Sequence, residues 1–193
     1  MKTFLMLVVL FFSSSVVAGD ISDFQIEGIS IGDSLLDYMT EDQIKKEIKD
    51  NKYMYDYLTD YFGEVYLHKE TENYSYMSFL VKPDDKNYII YQVRGVIKID
   101  NKNDCFIKQN EIINTAKELF TELKLIKDEA IHPVDPSGKS LSYRQYFFFE
   151  NRDLFVVSCE IFREDLRIKN NWDNAIGVSL NRGVVIDWFD HLL

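Results

Sequence analysis

The clearest chemistry in the chain belongs to its two cysteines, Cys105 and Cys159. Each stands on an apolar periodic face. Cys105 opens a stripe with Gln109, Ile112, Ile113, Ala116, Leu119, Phe120 and Leu123, at the three- and four-residue steps of a helix. Cys159 alternates with Phe155, Val157 and Ile161, the period of a strand with one face on a core. Two inward-facing thiols with no third cysteine predict a Cys105–Cys159 disulfide in an exported chain. Two separate buried thiols are the alternative, because cysteine also packs as a small apolar residue. There is no Cys-x-x-Cys spacing, which disfavours redox catalysis.

The other chemical motifs are weaker. Ser137-Gly138-Lys139-Ser140 ends like a phosphate-binding loop, but Pro133 stands where that loop needs its first glycine, and neither the preceding strand nor the following helix is evident. It reads as a connection. Asp100-Asn101-Lys102-Asn103-Asp104 has the polar spacing of a calcium loop with Lys102 at a ligand position, so it reads as a strand-to-helix turn. His68, His132 and His191 are isolated, without the second nearby ligand of a compact zinc site. No Gly-x-Ser-x-Gly elbow occurs. No catalytic set, cofactor site or metal site is therefore expected from local spacing, and a hydrolase would need residues converging from distant segments. Asn73-Tyr74-Ser75 matches a glycosylation sequon. The tyrosines between Tyr53 and Tyr76 fit either core packing or an aromatic binding surface.

The elements that must position these residues centre on Tyr88–Leu123. In Tyr88–Asp100 the odd positions Ile89, Tyr91, Val93, Gly95, Ile97 and Ile99 make an apolar face, and Gln92, Arg94, Lys98 and Asp100 a wet one. Asn103 or Asp104 is positioned to cap the helix that Cys105 begins. Before this pair, Asp20–Ile31 reads as a short strand or extended arm, and Gly32-Asp33-Ser34 opens a short helix. Thr40 with Gln43 makes a capping box for a second helix. Phe62–His68 and Asn73–Lys82 read as strands. After it, Lys124–His132, Leu141–Glu150, Leu154–Phe162 and Asn174–Leu180 read as strands, with a loop at Pro133–Lys139. Asn181 is expected to cap a C-terminal helix, Arg182–Leu193; a hairpin at Asn181-Arg182-Gly183 is the competing reading. The periodicity predicts that Ile89, Val93, Ile97, Phe155 and Val157 lie under a helix bearing Ile112, Ala116, Leu119 and Leu123.

The order of helices, strands, one central helix and more strands, with short links and no βαβ alternation, predicts the α+β class. The expected architecture is a single domain with an antiparallel sheet of about six to seven strands, the central helix on one face and short helices at both ends.

Met1–Ala18 has the layout of a secretory leader: Lys2, an apolar run, then small residues before Gly19. Its apolar run is short of the roughly 20 residues that span a bilayer. The expected mature chain is Gly19–Leu193, one domain by its length. A formal net charge of −10 over the whole sequence suits the chain poorly to nucleic acid or to anionic membrane surfaces.

Gly28-Ile29-Ser30-Ile31-Gly32-Asp33-Ser34-Leu35-Leu36, the cysteine-started helix, Asp135-Pro136-Ser137-Gly138-Lys139-Ser140 and the closing Trp188 together resemble small exported bacterial proteins of unknown function. The likeness runs over most of the mature chain and brings no catalytic residues with it. Ile31–Met39 alone is similar to small outer-membrane assembly lipoproteins, whose lipid-bearing cysteine has no counterpart here. The expectation is an exported, periplasmic or secreted, non-enzymatic binding domain, its partner an unknown protein, peptide or small molecule. A tyrosine-lined face would mark a binding domain, and a deep pocket with converging His, Asp or Ser would mark the hydrolase.

Overall fold

Two meanders and one late strand build the sheet. The computed structural model describes residues 20–52, 61–68, 71–132, 134–135 and 137–192. In it, β1 (Gly63–Leu67), β2 (Tyr76–Val81) and β3 (Ile90–Ile99) form one antiparallel meander. β4 (Leu125–Ile131), β5 (Leu141–Phe148) and β6 (Leu154–Ile161) form a second. β7 (Asn174–Asn181) then enters between β3 and β6, pairing antiparallel with both. The result is a seven-stranded sheet in the order β1-β2-β3-β7-β6-β5-β4. Among the described residues four α-helices accompany it: α1 (Glu41–Lys52), α2 (Lys102–Leu119), α3 (Glu164–Asn170) and α4 (Gly183–Leu192). The leader Met1–Ala18, Gly19, Tyr53 and Tyr57 lie outside the described residues, as does the side chain of His191. No helix among the described residues is long and apolar enough to cross a membrane.

The chain is α+β, with α2 packed on one face of the sheet. Paired residues share a face, so the register assigns the core directly. Val93, Leu180, Phe155 and Phe147 run side by side across four strands, and Ile97, Ile176, Cys159 and Tyr143 form a parallel row. Ile112, Ile113 and Ala116 of α2 are buried in the same core. Phe120, just past the helix, meets the rings of Phe24, Phe147, Phe149 and Phe155 at centroid distances of 4.8–5.3 Å. Gln109, the one polar residue of the stripe, is buried for a reason. Its Nε2 donates to the carbonyls of Tyr143 and Val157, and its Oε1 accepts from Gln145.

Several expectations are corrected. α2 is capped by Asn101, whose Oδ1 accepts from the Asp104 N–H, and not by Asn103 or Asp104. Ile89 precedes β3 and is half-buried. A bulge between Leu80 and Val81 sends Tyr91 to the opposite face, against Phe62. Val93, Phe155 and Val157 are buried under the helix, whereas Ile97, Leu119 and Leu123 only pack against the core's margin. Asp20–Ile31 is not an arm: it makes a 3-10 turn at Ile21–Asp23 and a tight turn bridging Ile26 and Ile29. Asn181 does not cap α4. The Asp153 carboxylate does so from the turn before the neighbouring strand β6, accepting from the Gly183 N–H at 2.7 Å. Asn181 instead bonds the Leu154 carbonyl and the Ser179 hydroxyl. The hairpin reading of this segment gives way to the helix. The Thr40–Gln43 capping box forms in both directions.

Candidate functional site

The opposite face of the sheet carries a polar centre. Its side chains follow from the alternate positions of each strand: Tyr66, Ser78, Arg94, Ser179, Val156 and Tyr146 make one row, and Tyr76, Val96, Gly177, Ser158 and Arg144 the next. Among the described residues, aromatic clusters stand at its two ends. At one end α4 sets Val185 and Trp188 against Phe62 and Leu80. At the other, the Phe162 ring lies tilted between those of His132 and Trp172, with centroids 4.8 and 5.2 Å away.

Arg94 organises the centre. Its side chain is 30% exposed, and its Nη2 stands 3.6 Å from Oε1 of Glu160 on β6. Arg94 reaches Glu160 over Gly177, because nothing larger fits beneath it: a Cβ at position 177 would lie 2.5 Å from Nε. The other Glu160 oxygen lies 3.7 Å from Nε2 of His132. Burial pushes the Glu64 carboxyl above its ordinary range, against the pull of the nearby Arg94 charge. Burial likewise lowers His132, with Glu160 opposing, so the imidazole is neutral at pH 7. The Arg94 guanidinium thus sits beside Glu160, flanked by Glu64 and His132, both of which burial pushes toward neutrality.

Its hydrogen bonding is incomplete. Ser78 is 1% exposed, yet its Oγ has no hydrogen-bond partner among the described residues, and neither does Oε2 of Glu160. The Ser78 hydroxyl sits near enough to the Glu64 carboxyl to favour its anion slightly, but outside hydrogen-bond geometry. Arg94 makes its ion pair at a distance too long for a hydrogen bond. Arg94 and Ser78 are cross-strand partners, so unused donors from both lie side by side. Aromatic rings border them: Tyr66 lies 5.8 Å from Tyr76 and stacks on His68 at 5.7 Å.

The residues singled out from sequence fall elsewhere. Cys105 on α2 and Cys159 on β6 are both fully buried between helix and sheet at disulfide distance, with Cα atoms 5.9 Å apart. They belong to the core face. Ser137-Gly138-Lys139-Ser140 is a connection pinned by buried Asp135, whose oxygens accept from the hydroxyls and backbone N–H groups of Ser137 and Ser140. The Ser137 hydroxyl, the largest influence, and then Ser140 hold Asp135 down at about 2 despite its burial. Asp100-Asn101 makes the strand-to-helix turn, and Lys102-Asn103-Asp104 form the first turn of α2. His132 and Glu160 do converge from distant segments, but no serine hydroxyl bonds His132 among the described residues. No group of three or more His, Cys, Asp or Glu among the described residues is disposed to hold a metal. From the sequence alone Arg94 stands on a wet strand face; the signal for the site is the polar alternation shared by β2, β3, β6 and β7, which only their register aligns.

Comparison with protein-family models, with curated proteins and with solved structures finds no match to this chain.

Proposed function

We propose that the chain is a non-enzymatic binding domain of the exported fraction that holds its ligand on the tyrosine-bordered sheet face around Arg94. The observation that supports this is the pair of unused donors, the Arg94 guanidinium and the buried Ser78 hydroxyl, side by side next to the Tyr66 and Tyr76 rings. Buried polar groups without partners are costly and are ordinarily satisfied. A ligand presenting acceptor oxygens, such as a peptide carbonyl or carboxylate, supplies what these two lack, and tyrosine faces suit the apolar parts of such a ligand. The buried cysteine pair and the leader-like N-terminus support an oxidising compartment, periplasmic or extracellular. Membership of the small exported bacterial proteins that the sequence resembles agrees with both.

Titration of isotope-labelled protein with N-acetylated dipeptides tests this reading. Amide shifts are expected to cluster at Ser78, Arg94, Tyr76 and Gly177 and to vanish in Arg94→Gln. Shifts scattered elsewhere, or unchanged by Arg94→Gln, overturn it.

A further inference from the structure

The two edges of the sheet are treated differently. At β1, α1 supplies caps for the outward backbone: Asn51 Nδ2 donates to the Glu64 carbonyl at 2.9 Å, and Glu47 Oε2 accepts from the Tyr66 N–H at 3.3 Å. At β4 no side chain or loop does this among the described residues. β4 pairs with β5 without a bulge over its whole length, Leu125↔Phe147 to Ile131↔Leu141, and contains neither proline nor glycine. Ile131 at its end is 60% exposed. A long, regular, uncapped edge offers a row of free backbone donors and acceptors to another strand.

The side chains along that edge are Leu125, Ile126, Lys127, Asp128, Glu129, Ala130 and Ile131. They are complementary to themselves. In an antiparallel pairing of two copies centred on Asp128, Lys127 of each copy faces Glu129 of the other. Leu125 faces Ile131, and Ile126 faces Ala130. Shifting the centre by one residue either way sets Lys127 against Lys127 or Glu129 against Glu129; half-residue slides pair residues of opposite faces and cannot form one continuous sheet with α2 of both copies on the same side. The Asp128 side chains do meet at the centre, but each is already paired with Arg144 of its own chain. They are therefore not bare like charges.

We propose that β4 is a self-association edge. Two copies join antiparallel about Asp128 into one continuous sheet, with α2 of both on the same side. Opposite charges directly across a strand pair stabilise it and like charges destabilise it. A single strand pair is smaller than a standard interface, so the dimer is expected at micromolar rather than nanomolar affinity.

Sedimentation equilibrium of the full chain over a concentration series tests this. Wild type is expected to show a monomer–dimer equilibrium. Lys127→Glu and Glu129→Lys are each expected to weaken it by roughly tenfold or more, because two facing pairs turn repulsive at once. The Lys127→Glu/Glu129→Lys double swap is expected to restore it. An equimolar mixture of the two single variants is expected to form the heterodimer, since both of these positions are then acidic in one chain and basic in the other. All of these positions are exposed, and circular dichroism checks that each variant is folded. Wild type monomeric up to about 1 mM overturns the proposal, in favour of an edge whose charges keep copies apart. A dimer indifferent to Lys127→Glu, or variants that fail to complement in the mixture, overturns it equally.

Discussion

Arg94 lies across Gly177 so closely that a Cβ there would come within 2.5 Å of Nε and 2.7 Å of Nη2. The neighbouring Gly95 mirrors this on the core face, where a Cβ would come within 2.5 Å of the Tyr74 ring. The two substitutions to alanine are expected to behave differently. A guanidinium at the end of a flexible stem can swing out toward water, and alanine suits a strand better than glycine, so Gly177→Ala changes stability by less than about 1 kcal/mol. The Tyr74 ring is packed against the core and cannot, so Gly95→Ala costs about 1–3 kcal/mol. Urea titration of the two variants checks the order; equal losses contradict it.

The displacement of Arg94 has its own signature. Glu160→Gln is expected to destabilise wild type and to matter less once Gly177→Ala has moved the arginine away. A double-mutant cycle should give a coupling of about 0.5 kcal/mol or more. Strict additivity would mean that Arg94 does not reach Glu160 over Gly177.

The cysteine pair closes a sequence separation of 54 residues and ties the first turn of α2 to β6. In the chain-entropy account such a bridge stabilises by about 4 kcal/mol. Unfolded, unreduced protein is expected to show no free thiol to Ellman's reagent, and two after reduction. Cys159→Ala should lower stability by about 2–5 kcal/mol under oxidising conditions, with a much smaller difference under reducing ones.

Two titrations act on stability in a defined direction. Asp135 is depressed to about 2, so its contribution is fully present above the unfolded value of about 4 and is lost as pH falls through about 2. Asp135→Asn should therefore melt lower than wild type at pH 7, with the gap closing toward pH 2. His132 is also depressed, because burial disfavours its cation; its contribution is present above about pH 6.5 and is lost as pH falls below that. Between pH 7 and 5, wild type should lose more stability than His132→Gln. Parallel melting curves for the pair would refute a buried neutral imidazole.

Within α2 the core contribution is uneven. Ile113 is 1% exposed, while Leu119 is half-buried in the last turn. Ile113→Ala is expected to cost about 2–5 kcal/mol and Leu119→Ala clearly less. Gln109→Leu, similar in size, leaves the Tyr143 and Val157 carbonyls without their donor and should cost about 1–3 kcal/mol. Denaturant midpoints rank the three.

What was legible in the sequence is what depends on one element at a time. The inward faces of Cys105 and Cys159 were readable from their own helix and strand periods, and so was the class of fold. The Thr40–Gln43 box was readable because both partners lie within one turn. The misreadings share a cause. Asn101, Asn103 and Asp104 are all competent caps, and only the tertiary start of α2 selects among them. The α4 cap comes from Asp153, some 30 residues away, and no local rule reaches it. α3 escaped notice because it buries none of its residues and so has no apolar stripe. The Arg94 centre takes its residues from several strands, one or two apiece. Its pattern exists only after the register has been set.

The position of β7 has a consequence for timing. The meanders of residues 63–99 and 125–161 share no strand pair, and only β7 joins them. The sheet cannot grow outward from its first hairpin. It has to wait for a late segment to fill its middle, and until then the inner edges of β3 and β6 both stand open. Long-range pairings of this kind slow folding, and exposed inner edges are where mispairing begins. A chain built this way completes its sheet from the centre, once β7 has been made and slots between the two meanders.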